Sequence, residues 1–573
     1  MDAMSLYRQW LSEFSDDAET VADLKSIADD PAEIEDRFYR ELEFGTAGMR
    51  GVMGAGTNRL NIYNVRRVTR ALAKYILTTD GGAEKGVAIG YDSRNNSARF
   101  ARETALVLCA AGVKAYLFES LRPVPVLSFT IRHLGCIAGV VITASHNPKQ
   151  YNGYKAYWTD GGQMPPESVR GITDRLPGTT YEESLPMDEE EALRKGLLTY
   201  IGAEVDDAYI AAVKKLQVNP ELAREMGKTL RIVYTPLHGS GNVPVRRILR
   251  EIGMENVCVV PEQEKPDGDF PTVKVPNPED PGAFALALKM QTELGADLCV
   301  ATDPDCDRVG VACMTENGPR LLNGNQIGCV LLHYILSQKK ERGELPANAA
   351  AVTTIVSTDM ARAIAESFGC EMIEVLTGFK YIAEQIHLFE TTGAHTFMFG
   401  FEESFGYLSG TDVRDKDGVN ACMLIAEAAA WYKKKYGCTL VDAIDRLYEE
   451  YGWYGDRVTS FVLPGKDGLE KMQQVMQSLR DNPPTEFGGF AVTALRDYQK
   501  SVRTENGRTE ALTLPKSNVL YFELEDGAWI CVRPSGTEPK IKLYVNAVSG
   551  SHEETQARLS RISDAAVKLL QSL

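Results

Sequence analysis

Ala138-Gly-Val-Val-Ile-Thr-Ala-Ser-His-Asn-Pro-Lys-Gln-Tyr-Asn-Gly-Tyr-Lys155 begins as an unbroken apolar run and then turns polar. A short run of that kind fits a strand buried on both faces, as in a parallel sheet. Past it the chain leaves regular structure, because Pro148 disfavours helix at Asn147 and Asn152-Gly153 is a strong turn dipeptide. Ser145 is therefore expected at a strand end, on a turn that faces a cleft. His146 and Lys155 lie close by in sequence, and such side chains orient or neutralise an oxyanion or move a proton near neutral pH. Alone, Thr-x-Ser-His is better explained as an ordinary polar turn; its weight comes from the rest of the chain.

Working outward, Val87 to Tyr91 and Ala115 to Phe118 read as strands, with helix from about Ser97 to Ala111 between them. The rhythm recurs at Leu230 to Thr235, Val257 to Val260 and Leu298 to Thr302, and again at Ala349 to Val356, Met372 to Leu376 and Thr396 to Phe399. No residue-level repeat is visible. The alternation nevertheless predicts three similar α/β domains in series, with mixed or parallel sheets. From about Val458 strands cluster (Thr459 to Leu463, Val519 to Leu524, Trp529 to Val532, Ile541 to Val545) before an amphipathic helix at 552–571, which predicts a C-terminal α+β domain. Residues 5–43 read as amphipathic helices ahead of the first sheet. The acidic stretch 183–192 and the glycine-rich stretch 464–468 read as surface connections. The expected domains are 1–205 with the serine loop, then 206–322, 323–450 and 451–573.

Bulk properties narrow the function. The 573-residue chain has 44% hydrophobic and 25% charged residues, ordinary for a globular protein. A formal net charge of -17 argues against non-specific binding to nucleic acid or an anionic membrane, while leaving room for a small anionic substrate in a locally basic cleft. The first 17 residues do not resemble a secretion signal, and no apolar stretch of membrane-spanning length occurs. Eleven cysteines without a C-x-x-C pair suggest neither a disulfide framework nor a zinc site, and predict reduced thiols in a cytoplasm.

Four further stretches carry chemistry. Asp303, Asp305 and Asp307 alternate directly after the predicted strand Leu298 to Thr302, and three carboxylates on one turn repel one another unless a cation sits between them. An EF-hand needs glycine sixth and glutamate twelfth, where this chain has Arg308 and Met314, so Mg²⁺ or Mn²⁺ on an oxygen-only set is expected instead. Glu402 and Ser404, in Phe399-Gly-Phe-Glu-Glu-Ser-Phe-Gly406, are expected on one side of an extended segment, as readers of sugar hydroxyls. Arg533, Ser535, Gly536 and Thr537 offer a guanidinium, hydroxyls and exposed amides suited to phosphate. Gly45-Thr-Ala-Gly-Met-Arg-Gly51 lets backbone amides and Arg50 approach an anion. Gly54-Ala-Gly56 and Gly239-Ser-Gly241 lack the third glycine of a dinucleotide fingerprint, and no P-loop occurs.

In this order, over nearly the whole chain, these loops resemble the α-D-phosphohexomutase superfamily, in particular its phosphoglucomutase and phosphomannomutase branch. The resemblance implies four domains around a central cleft and a phosphoryl group carried on Ser145. It implies one Mg²⁺ held by Asp303, Asp305, Asp307 and the phosphoserine, with Arg50 and His146 steadying the phosphate. Lys155 then matches a general acid or base, and Lys380, in Thr377-Gly378-Phe-Lys, a cleft lysine. Arg308, Lys416 and Lys542 match further cations near substrate. Phe401 departs from a glycine common in relatives.

The implied activity interconverts hexose 1-phosphate and hexose 6-phosphate through a hexose 1,6-bisphosphate, with glucose favoured by Glu402-Glu403-Ser404 and glucose 1,6-bisphosphate as activator. The alternatives are a phosphomannomutase, phosphopentomutase or glucose 1,6-bisphosphate synthase of the same superfamily, or a non-catalytic phosphosugar-binding protein. A haloacid-dehalogenase-like phosphatase with Asp303 as nucleophile would leave the Ser145 loop without a role. The expected partners are small sugar phosphates, with no nucleic acid or membrane, and the chain is expected as a monomer or weak homo-oligomer.

Overall fold

The computed structural model describes residues 2–46, 48–463, 468–535 and 540–573. Three helices, Ala3–Glu13, Ala18–Ser26 and Pro31–Phe38, come first, each started by an aspartate whose carboxylate accepts backbone N–H groups. Trp10, backed by Phe38, and Phe14 pack against Tyr63 and Tyr181 of the following unit.

Three sheets then repeat one plan. In the first, Val87–Tyr91 lies between Ala115–Phe118 and Ala138–Ile142, parallel to both, and Tyr151–Trp158 joins antiparallel beyond Ala138–Ile142. In the second, Arg231–Thr235, Asn256–Val259, Leu298–Thr302 and Val309–Thr315 take the same places. In the third, they are Ala349–Thr354, Glu371–Val375, Thr396–Glu402 and Gly406–Leu408. The predicted rhythm is thus a repeat of topology, and each sheet is mixed.

The plan explains where chemistry collects. In each unit the third strand is central and apolar, and its end must turn back sharply into an antiparallel neighbour. The reversal lies at the carboxyl ends of the parallel strands, where open α/β sheets leave a crevice. The first carries Ser145, the second the three aspartates, the third Glu402 to Ser404.

Two local expectations are corrected. Asn152-Gly153 is no turn: both residues lie inside strand Tyr151–Trp158. A Cβ on Gly153 would sit 2.5 Å from Thr143 O, so glycine is needed for close strand approach, and Asn152 Nδ2 braces Asn95 O and Ser97 Oγ. Ser404 is not in an extended segment either. Strand Thr396–Glu402 ends at Glu402, and residues 403–405 form a turn with Phe405 at φ 66°.

The last sheet is antiparallel, ordered Trp453–Val462, Lys540–Ser549, Trp529–Pro534, Leu520–Leu524, Phe490–Asp497, Val502–Glu505, Arg508–Ala511. Helices Gly468–Asp481 and His552–Ser572 cover it. Of the expected connection at 464–468, residues 464–467 lie outside the described residues, and Gly468 opens a helix. One apolar core runs through the first three units, crossed by helix Gly418–Tyr436, which is buried on most of its faces. A smaller cluster joins Ile355, Val356 and Leu376 of the third unit to Tyr521, Trp529 and Tyr544 of the last. No described helix is long and apolar enough to cross a membrane. All eleven cysteines are free.

Candidate active site

The Ser145 loop and the aspartate loop meet. Ser145 is 3% exposed, and its Oγ donates to Asp303 Oδ2 at 2.9 Å across 158 residues of sequence. His146 Nδ1 lies 3.2 Å from the same oxygen. Burial first, then Arg308 and Arg50, hold the imidazole well below its ordinary pKa, so it is neutral at pH 7. Arg50, on strand Met49–Val52, donates to Asn147 Oδ1 at 2.8 Å and thereby reaches the loop from the sheet edge.

Asp303, Asp305 and Asp307 are all buried, with oxygens within 4.8 Å of one another. Asp303 Oδ1 accepts the backbone N–H groups of Asp307 and Arg308, which closes the turn and aims the carboxylates inward. Asp305 Oδ1 and Asp307 Oδ1 are buried with no hydrogen-bond partner. Unpaired carboxylate oxygens beside one another are costly without a cation, and these residues fit a metal ion. Burial and then the neighbouring aspartates push Asp303 well above the usual carboxylate range. Burial also opposes ionisation of Asp307, but Lys416, Lys155 and Arg308 outweigh it and hold that group low.

Lys155 approaches from strand Tyr151–Trp158 and places Nζ 2.7 Å from Asp305 Oδ2 and 3.3 Å from Asp307 Oδ2. Burial disfavours its charge, yet the two carboxylates raise its pKa above the ordinary value. Lys416 Nζ bridges Asp307 Oδ2 at 3.2 Å and Asp415 Oδ1 at 2.9 Å. Arg308 pairs with Glu279.

The Glu402 to Ser404 loop lies within the electrostatic reach of Lys416 and Arg308. Glu402 Oε1 accepts Gly378 N at 2.9 Å, tying it to the Thr377-Gly378 turn. Burial lifts its pKa, opposed by Lys416 and Arg308. Burial and then Glu402 raise Glu403 to about 7, opposed by Lys542. Lys380 Nζ donates to Thr46 Oγ1 at 3.4 Å, bringing the third unit to the Gly45 to Gly51 segment of the first. Its pKa is lowered by burial and then by Arg533.

Arg533 and Lys542 are paired across strands Trp529–Pro534 and Lys540–Ser549, and Ser535 N donates to Lys540 O. Gly536 and Thr537 lie outside the described residues. Ser145, His146, Arg50, the three aspartates, Lys155, Arg308, Lys416 and Glu402 are thus joined by direct contacts or by their mutual electrostatic influence. Arg533 acts electrostatically on Lys380, and Glu403, Glu279 and Arg308 on Lys542, while Ser404 sits in the turn after Glu402.

Sequence reasoning missed Arg94, Asp92, Asp415 and Glu279. Asp92 and Arg94 carried a signal, since Asp92-Ser-Arg94 follows a predicted strand just as Ser145 does. Asp415 precedes Lys416 directly in sequence, and its pairing with that lysine appears only in the fold. Glu279, in a proline-bracketed loop, carried none.

Comparison with known proteins gives the arrangement its family. The models of phosphoglucomutase/phosphomannomutase alpha/beta/alpha domains I, II and III match residues 41–183, 207–317 and 323–451, and that of the C-terminal domain matches 480–561. The chain belongs to the phosphoglucomutase/phosphomannomutase family. It is 36% identical over 515 residues to a phosphoglucomutase of Staphylococcus haemolyticus, covering 89% of this chain and 91% of the relative. A phosphoglucomutase of Staphylococcus aureus is also 36% identical, over 92% of this chain and 93% of its own length.

Among solved structures, a protein assigned as a phosphomannomutase from Thermus thermophilus aligns with a TM-score of 0.69 at 23% identity. That alignment covers 93% of this chain and 99% of the other. As a member of this family the chain is a phosphosugar mutase, an isomerase that moves a phosphoryl group within a sugar phosphate.

Proposed function

We propose that this mutase interconverts glucose 1-phosphate and glucose 6-phosphate, with Ser145 as the residue that carries the phosphoryl group between substrates. The observation that carries this reading is the 2.9 Å contact from Ser145 Oγ to Asp303 Oδ2, which sets the hydroxyl among three carboxylates able to share a cation. Phosphorylated Ser145 brings about -1.5 to -2 charges at pH 7. Asp303, Asp305 and Asp307 would hold Mg²⁺, which neutralises that charge and draws electron density from phosphorus.

In the first half-reaction the phosphorus–Oγ bond of Ser145 breaks as a sugar oxygen bonds to phosphorus, giving glucose 1,6-bisphosphate. In the second, the other phosphate returns to Ser145. The acceptor hydroxyl loses one proton and Oγ gains one, and Lys155 is the proposed proton carrier. Arg50 and His146 steady the phosphate being transferred; the Glu402 to Ser404 turn reads the hydroxyls. Arg533 and Ser535, with Lys542 beside them, grip the phosphate that is not reacting. Positioning and charge neutralisation supply most of the rate in such transfers.

The preference for glucose is supported by relatives named phosphoglucomutase and by the Glu402-Glu403-Ser404 turn. The free thiols suit a reducing cytoplasm. Initial rates on glucose 1-phosphate, mannose 1-phosphate and ribose 1-phosphate, each with and without glucose 1,6-bisphosphate, test the reading. Glucose 1-phosphate should be fastest and depend on the bisphosphate; a higher kcat/KM for either other sugar overturns the assignment.

A further inference from the structure

The Ser145 turn has an unusual support. Ser145 is held at φ 51°, a left-handed conformation that a residue with a side chain rarely adopts and that surrounding contacts must impose. The contacts come from Arg94, which lies beyond the end of strand Val87–Tyr91 and is fully buried at its side chain. Its Nη2 donates to Ser145 O and Asn147 O, both at 2.5 Å. Its Nη1 donates to Pro148 O at 3.0 Å and Tyr151 O at 3.1 Å. One planar guanidinium therefore gathers four carbonyls of a single loop, a fork that an ammonium cannot reproduce.

Arg94 is itself fixed. Asp92 Oδ2 lies 3.3 Å from Arg94 Nε, and Asp92 Oδ1 accepts Arg94 N. Thr143 Oγ1, which accepts Ser145 N, donates to Asp92 Oδ2 at 2.6 Å. The far face of the guanidinium packs on Phe270 of the second unit, 5.0 Å from the ring centre. Hence the element that shapes the serine turn also touches the unit that carries Asp303, Asp305 and Asp307.

We infer that Arg94 is a positioning residue of the reaction: by drawing four carbonyls of the 145–151 loop onto one buried guanidinium, it sets where the phosphorylated Ser145 oxygen stands relative to the three aspartates. This rests on Ser145 being the phosphoryl carrier. Arg94 touches backbone rather than substrate, so its loss displaces the reacting oxygen and leaves sugar recognition intact. A misplacement of about 1 Å lowers turnover by roughly 100-fold.

The test compares R94K, R94M and S145A as full-length proteins, by kcat and KM for glucose 1-phosphate, by intact mass after incubation with glucose 1,6-bisphosphate, and by thermal melting. R94K keeps a charge opposite Asp92 but not the fork. It is expected to fold, lose about 100-fold in kcat, keep KM within about threefold, and take up phosphate slowly. R94K at parental kcat, or with raised KM and unchanged kcat, overturns the inference. Unfolding of both Arg94 variants makes the residue a folding determinant and also overturns it. An active S145A instead removes the underlying reading, whereas an inactive S145A beside fully active Arg94 variants removes this inference alone.

Discussion

At the scale of single residues, the proposed chemistry depends on an alcohol placed among carboxylates. Ser145→Ala removes the only oxygen at that position able to carry a phosphoryl group. Conversion of glucose 1-phosphate to glucose 6-phosphate, read by a dehydrogenase-coupled assay, should fall to background while melting stays near the parent's. Asp305→Ala removes one of three inward carboxylates and leaves Lys155 with Asp307 alone. Activity at saturating sugar should fall by more than the 10- to 100-fold typical of losing an outer partner of a metal site, and half-activation should need more Mg²⁺. An unchanged Mg²⁺ titration would remove Asp305 from the metal set.

Residue identity and spacing made these groups legible, because a hydroxyl after a buried strand and three alternating aspartates are local patterns. Arg94 was not legible in the same way. Its role depends on which carbonyls a fold turns inward, and no side-chain spacing records that.

At the scale of elements, the strands were readable where they are buried on both faces. Val87–Tyr91, Ala115–Phe118 and Leu298–Thr302 have the expected ends. Strand Tyr151–Trp158 was hidden by Asn152-Gly153, whose glycine serves close packing rather than a turn. Val502–Glu505 and Arg508–Ala511 were hidden because they are polar and largely exposed, with no alternation to betray them.

A second close approach gives a prediction. Helix Gly324–Glu341 starts against the turn at residues 403–405, and a Cβ on Gly324 would lie 2.1 Å from Glu403 O. Because the obstacle is backbone, Gly324→Ala must push the turn outward. KM for glucose 1-phosphate should rise by about tenfold, roughly the worth of one hydrogen bond, with a smaller change in kcat. An unchanged KM would separate this turn from sugar binding.

At the scale of the whole molecule, the last unit is attached through a modest apolar cluster and several polar contacts, Asn323 Nδ2 to Asp456 Oδ2 at 3.2 Å among them. Trp529 Nε1 donates to Asp359 Oδ2 at 2.8 Å. Burial and then Glu374 push Asp359 up to about 6, from an ordinary value near 3.8. The folded protein therefore binds more protons here than the unfolded chain between those two values, and stability falls as pH rises through that window. Above pH 6 the buried charge costs up to about 3 kcal/mol. Asp359→Asn retains an acceptor for Trp529 and removes the charge. It should raise the melting temperature at pH 8 and by a clearly smaller amount at pH 4.5, as scanning calorimetry at both values would show. Equal shifts at the two pH values would exclude ionisation of Asp359 as the cause.

The threefold recurrence of one strand order has an evolutionary corollary. On the proposed assignment, bond making, charge compensation and carbohydrate selection reside on separate copies of the same scaffold, so selection can act on one task with little collateral damage to the others. A lineage drifting from one monosaccharide to another needs to rewrite chiefly the third reversal, Glu402 to Gly406, while the first two stay under purifying pressure. Divergence among such enzymes should accordingly concentrate in a few positions of one copy, and chimeras exchanging that hairpin offer the shortest route to an altered diet.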